Sequence, residues 1–315
     1  MVYIDHEGLI RGAYAQIEEI ETKINLLNHY IIDAISEITR EEGQAIGTDV
    51  LPFTITIDDG SRRNYNEEIF FPEVYENLMF DKRVRSFPVT VESFLNAFRK
   101  APEDKPIIVL VVSKRYSEGF NKAIKAKKLL AKENPDKAKN VLIVDSKTTD
   151  PLMKLMMKNA ISMDEEGKSL EEIINYLNWV REKHISYIYI DSLTALRKSE
   201  RVRRVTTFFG NLLGLKPVII ENMNNNGDLK AFKTVRSKEQ LIQEIAKAIQ
   251  IEFEGKELEG VIFYGIIIDD AKRVQEVLNL ETKSENHNFT MDFIGTGVAI
   301  HLGYDSLGIS LFPKP

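Results

Sequence analysis

Apolar positions in the first forty residues recur at helical spacing. Ile17, Ile20, Ile24, Leu27, Ile31, Ala34 and Ile38 follow one another at intervals of 3 and 4, and Ile10, Ala13 and Tyr14 extend the series upstream. This spacing predicts one long helix over residues 10–40. Tyr30 and Ile35 widen the stripe beyond a strict heptad seam. Two uses of the helix stay open: packing on its own lobe, or a homodimer seam.

After Gly43 and Gly47 the pattern turns to alternation. Phe53–Ile57 reads as a strand stopped by Asp58-Asp-Gly60. Helices are predicted over residues 67–79 and 91–99, with a loop from Arg83 to Pro88 between them. The β-branched runs Ile107–Val112 and Val141–Val144 read as buried parallel strands. Ser113–Ser117 is a loop leading into a helix that reaches residue 131. Helices at 152–163 and 169–183 and a strand at Tyr187–Ile190 follow. This β-α-β-α-β order predicts an α/β fold with a parallel sheet.

The second half begins with a predicted helix, Val202–Leu213, stopped by Gly214. Pro217–Glu221 and Lys230–Val235 flank Asn224-Asn-Asn-Gly-Asp228, a hairpin signal. A helix over 238–253, a strand at Val261–Ile268, a helix over 271–279 and a last buried strand at Gly297–His301 complete the reading. The expected architecture is two-lobed. Residues 1–152 form a parallel-sheet N-terminal lobe with the long helix, and residues 153–315 form a second α/β lobe.

Composition narrows the function. A chain of 315 residues suits about two domains. Lys and Arg number 42 against 48 Asp and Glu, a net charge of −6, which argues against nucleic acid as a partner. There are no cysteines, so disulfides, thiolate nucleophiles and zinc–cysteine sites are excluded. No apolar run approaches the ~18 residues of a membrane span, and Met1-Val-Tyr-Ile-Asp-His6 lacks the features of a signal peptide. A cytoplasmic location is expected.

The usual catalytic signatures are missing. There is no P-loop and no G-x-S-x-G. Gly295-Thr-Gly297 opens a predicted strand where a dinucleotide motif would open a helix. The histidines at 6, 29, 184, 287 and 301 have no metal-pair spacing, so neither a metal nor another cofactor is expected. What remains are loops at strand ends, where α/β sheets bind ligands. Ser117 begins a helix and reads either as an anion-binding hydroxyl or as a simple N-cap. Arg85 and Ser86 offer a bidentate cation and a donor. His301 ends a buried segment. Arg197, Lys198, Arg201, Arg203 and Arg204 form a basic cluster.

In order along the chain, these pieces resemble the DegV family of fatty-acid-binding proteins. Val50-Leu-Pro-Phe-Thr-Ile is similar to the early V-P-L-x-I strand, and Arg85-Ser-Phe-Pro-Val89 sits at T-S-Q-P-S. Ser113-Lys-Arg-Tyr-Ser-Glu-Gly-Phe-Asn-Lys-Ala123 resembles S-S-x-L-S-G-T-Y-x-S-A, and Val144-Asp-Ser146 matches V-x-D-S. Leu193–Arg201 resembles L-x-Y-L-x-K-G-G-R. Leu212–Pro217 matches L-L-x-I-K-P, Lys233–Arg236 the following K-x-R, and Ala299–Gly303 resembles H-x-G-P-G.

The resemblance implies a non-enzymatic carrier that buries a long-chain fatty acid between two lobes and presents its carboxylate to a separate acyl kinase. It places Ser117 and Ser86 on the carboxylate, with Arg85 and Ser113 in the same loops. It places His301, Arg201 and Arg236 near the phosphoryl end or the kinase contact. The departures are the family's D-S-T strand, for which the predicted long helix stands, and Glu118 and Arg85 in place of glycine and threonine. Glu118 beside a ligand carboxylate predicts repulsion, which pairing with Arg85 would relieve. Two rivals stay open: an interaction protein with an altered or closed lipid site that dimerises through helix 10–40, and a hydrolase using Ser117 with His301 as base.

Overall fold

The computed structural model describes residues 26–58, 60–190, 195, 216–222, 228–282 and 287–315. Residues 10–25 of the expected helix, the predicted helix 202–213, Arg201 with the rest of the basic cluster, and Asn224–Gly227 of the hairpin lie outside these. From Leu26 onward the expected helix is not present. His29–Asp33 is strand β1, Ala34–Ser36 is a 3-10 turn, and Arg40–Ile46 is helix α1. The reason lies in Tyr30, Ile31 and Ile32, which are all fully buried. A helix would turn one of three consecutive apolar residues outward, whereas a central strand buries both faces. Thr39 then caps α1 by accepting from the Glu42 amide.

Strand β1 is central in a parallel four-stranded sheet of order β2-β1-β6-β7, with β2 at Thr48–Leu51, β6 at Ile107–Val111 and β7 at Val141–Asp145. One face packs on helices α3 (Val91–Lys100) and α4 (Gly119–Glu133) through Phe94, Phe98, Ala123 and Leu130. A small antiparallel sheet of order β4-β3-β5 stands beside it, with β3 at Thr54–Ile57, β4 at Arg63–Asn64 and β5 at Val84–Phe87. The loop expected at 83–88 therefore holds an edge strand: Arg85 pairs with Thr56 and Ser86 with Ile55. Helix α2 (Phe71–Met79) precedes it.

A short helix α5 (Pro135–Lys139) leads into β7, and α6 (Leu152–Glu165) and α7 (Leu170–Lys183) follow it. The second sheet has the order β10-β9-β8-β13-β11-β12. Its strands are β8 (Ile185–Tyr189), β9 (Lys216–Asn222), β10 (Lys230–Val235), β11 (Leu258–Tyr264), β12 (Asn288–Phe293) and β13 (Leu307–Pro313). All neighbours are antiparallel except β11 and β12. Helices α8 (Lys238–Glu252) and α9 (Ile268–Thr282) cover one face. The expected strand Val261–Ile268 ends at Tyr264, and Ile266, Ile267 and Ile268 are exposed.

The other face joins the first sheet in a shared core. Ile32, Leu110, Phe53, Met156, Ile188, Ile219, Phe263 and Phe312 belong to one cluster. Asp150 pins this junction. Its carboxylate caps α6 at the Leu152 amide and accepts from Ser186 Oγ at 2.9 Å and Ser310 Oγ at 2.5 Å, all fully buried.

The last expected strand is a helix. Thr296–Leu302 forms α10, a mostly buried helix of about two turns that packs on α2, β5 and the 3-10 turn. A short apolar run such as Gly297-Val-Ala-Ile cannot be assigned by periodicity, and here tertiary contacts decide. Among the described residues no helix is long and apolar enough to cross a membrane.

Candidate functional site

Three chain ends converge where the sheets meet. The 3-10 turn after β1 supplies Ile35, the turn after β6 supplies Val112, Tyr116 and Ser117, and α10 supplies Gly297, Val298, His301 and Leu302. With Thr149 and Leu229 they line a cavity of about 40 Å³ that is partly open to solvent. The walls are apolar apart from a few hydroxyls and the imidazole of His301.

Those polar groups sit together for local reasons. Ser117 precedes α4 and is buried. Its Oγ accepts from the Gly119 amide at 3.2 Å, leaving its proton to donate elsewhere. Asp33, at the carboxyl end of β1, faces the same turn: a Cβ on Gly119 would lie 3.4 Å from Ser117 Oγ and 3.6 Å from Asp33 Oδ2. Ser86 reaches from β5 to α10, where its Oγ lies 3.1 Å from His301 Nε2. Ser117 and His301 thus line the cavity, and Ser86 touches it only through His301.

Helix α10 is held by Glu37. This residue closes the 3-10 turn with a left-handed backbone, φ 59. Its Oε1 accepts from the Thr296 amide at 2.7 Å, and its Oε2 accepts from the Tyr65 hydroxyl at 2.7 Å. Tyr65 Oη also meets Thr296 Oγ1 at 2.6 Å. Burial pushes the Glu37 carboxyl up to about 7, against the opposing pull of these donors and the Gly297 amide. The Tyr65 hydroxyl is also pushed up, by burial first and then by Glu37. Gly295-Thr-Gly297 therefore does open a helix after a strand. The amides that would meet a pyrophosphate are taken by Glu37, and Ile300 stands where a third glycine would.

The expected residues divide. Ser117, Ser86 and His301 come together. Ser113 is buried one turn earlier, donating its amide to Thr148 O, and does not line the cavity. Arg85 neighbours Ser86 on β5, so the pleat sends it to the opposite face. Arg236 is exposed at the junction of β10 and α8, with its amide on Gln240 Oε1.

The expected Arg85–Glu118 pair is not formed. Glu118 is exposed and accepts from Asn121 Nδ2, one turn along its own helix. Ser117 and His301 make no hydrogen bond, so the hydrolase constellation is not assembled. A first-lobe strand stands where the long helix was expected: β1, which ends on Asp33. Sequence reasoning missed Glu37, Tyr65, Thr296 and Tyr116. No local signal pointed to Glu37, because Gly295-Thr-Gly297 read as the start of a strand.

Comparison with known proteins agrees with this geometry. The family model described as an uncharacterised protein of the DegV family matches residues 29–314. A DegV domain-containing protein of Staphylococcus aureus strain MRSA252 is 23% identical over 286 residues, covering 90% of this chain and 98% of that one. A stearic acid-binding protein from Eubacterium ventriosum has a similar fold, with TM-score 0.79, 22% identity, and coverage of 91% of this chain and 98% of that one. So does a DegV family protein from Thermus thermophilus described by its fatty acid binding, with TM-score 0.79, 22% identity, and coverage of 92% and 100%.

Proposed function

Because this chain belongs to the DegV family, we propose that it binds a long-chain fatty acid in the cavity between its sheets and carries it to a partner acyl kinase. The observation that supports this is the pair of polar residues on otherwise apolar cavity walls, Ser117 and His301, the latter backed by the Ser86 hydroxyl. An anion there gains from the amino end of α4, whose Gly119 amide points at Ser117 Oγ. The exposed position of Glu118 removes the repulsion that a carboxylate in this turn would suffer.

The tail supplies the affinity. Burying about ten methylenes at ~0.8 kcal/mol each gains ~8 kcal/mol, micromolar binding before the costs of association. The head group then sets orientation. A carboxylate held at His301, which is partly exposed, stays within reach of a kinase that docks over α10.

The test is native mass spectrometry of delipidated protein with palmitate, followed by incubation with an acyl kinase and ATP. A one-to-one complex and acyl phosphate formed only in the presence of the chain are expected. A protein that ignores palmitate would sink the carrier reading. Palmitate bound but never phosphorylated with any cognate kinase would sink the presentation step alone.

A further inference from the structure

We infer that Glu37 is a positioning residue for the acyl site, acting through α10 to fix the His301 imidazole against Ser86. The ligand half of this inference rests on the fatty-acid reading; the positioning half does not.

Helix α10 has seven residues and carries cavity walls and His301 together. A helix this short does not hold itself, because its end amides and carbonyls outnumber its internal bonds. Its amino end has no side-chain cap from its own N-cap residue, Gly295. The cap comes instead from Glu37, 259 residues away in sequence, through the Thr296 amide. Tyr65 closes the arrangement by touching both Glu37 and Thr296. His301 follows Thr296 by five residues, about 7.5 Å along the helix axis. A tilt at the capped end therefore moves the imidazole relative to β5, which belongs to the first lobe's small sheet.

Two further features show that the contact is built in. Glu37 holds a left-handed backbone, which non-glycine residues adopt at a cost. Gly295 lies at φ +91, and a Cβ there would come within 2.7 Å of Glu37 Cγ. The charged and titratable groups around Glu37 are Tyr65 from the segment after β4, Tyr75 from α2 and Asp292 from β12, the last paired with Lys154 of α6. No cation reaches the Glu37 carboxyl among the described residues, so its partners are the helix amides and Tyr65.

The experiment compares wild type with Glu37→Ala, Glu37→Gln and Gly295→Ala. The first readout, without ligand, is the His301 Hε1 resonance, assigned by its loss in His301→Asn. The second is the palmitate dissociation constant. Glu37→Ala and Gly295→Ala should both displace the resonance and weaken palmitate about five- to tenfold, the size of a lost cap and hydrogen bond. Glu37→Gln keeps the acceptor for Thr296 and should stay within about twofold of wild type. An unmoved resonance in Glu37→Ala overturns the inference, as does Glu37→Gln behaving like Glu37→Ala. If Glu37→Ala fails to fold, Tyr65→Phe serves in its place, with a smaller displacement expected and none overturning the inference. A resonance that responds in a protein that ignores palmitate would support the positioning role and sink the ligand reading.

Discussion

The Glu37 carboxyl makes conformational stability fall as pH rises through neutrality. In the unfolded chain it ionises at an ordinary 4.5, and in the folded chain at about 7. Between those values the folded state holds a proton that the unfolded state has lost. The unfolded state then binds fewer protons, so unfolding becomes easier as pH increases. The stabilising contribution is complete below pH 4.5 and is gone above pH 7. A shift of about 2.5 units at ~1.36 kcal/mol per unit gives ~3.4 kcal/mol. The residue keeps some exposure, which trims this to about 2–3 kcal/mol. Glu37→Gln resembles the protonated form at every pH. Urea unfolding of both proteins from pH 4.5 to 8 isolates the effect, because all other titrating groups cancel in the difference. Wild type should lose about 2–3 kcal/mol relative to Glu37→Gln across that range. Two curves that stay parallel would refute the argument, because the carboxyl would then titrate alike folded and unfolded.

Other substitutions test the rest. Asp150→Ala removes the α6 cap and the acceptor for Ser186 and Ser310, and should cost about 3 kcal/mol by denaturant midpoint, with Asp150→Asn recovering part. Ser86→Ala should weaken palmitate by about tenfold, whereas Arg85→Ala, on the opposite face of β5, should leave the dissociation constant within about twofold. Val298→Trp should fill the cavity and abolish palmitate binding while far-ultraviolet circular dichroism stays unchanged. The exposed Arg115–Asp228 pair joins the turn that carries Ser117 to the segment that carries Leu229. A double-mutant cycle on it should give a coupling below about 1 kcal/mol that shrinks with salt.

Legibility in the sequence followed the range of the deciding contact. Strands β6 and β7, helices α3, α6 and α7, and the α8 helix read correctly because each carries its own period or cap signal, such as the Ser169–Glu172 capping box. Strand β1 was lost because Ile31, Ala34 and Ile38 happen to continue a heptad spacing. The fact that decides against a helix, burial of Ile31 and Ile32 on opposite faces, depends on β2 and β6 flanking it. The same holds for α10, which has too few residues to show a period. Ser117, Ser86 and His301 stood out by their places at strand and helix ends and by ordered resemblance, and the structure puts Ser117 and His301 on one cavity with Ser86 against His301. Glu37 escaped because its partners lie 28 and 259 residues away. Arg85 misled because a residue adjacent to a site residue in a strand belongs to the other face.

Strand β13 has a consequence for synthesis of the protein. It lies between β8 and β11, pairing with both along its length. Until residues 307–313 have left the ribosome, the second sheet exists only as two unjoined fragments, β10-β9-β8 and β11-β12, each with an open edge. Helix α10 lies in the chain between β12 and β13, so a nascent chain stopped short of residue 307 would have a formed parallel sheet beside a second sheet without its central strand. Premature termination or proteolysis near Gly303 would release a sticky, half-built lobe prone to aggregation, and not a smaller carrier.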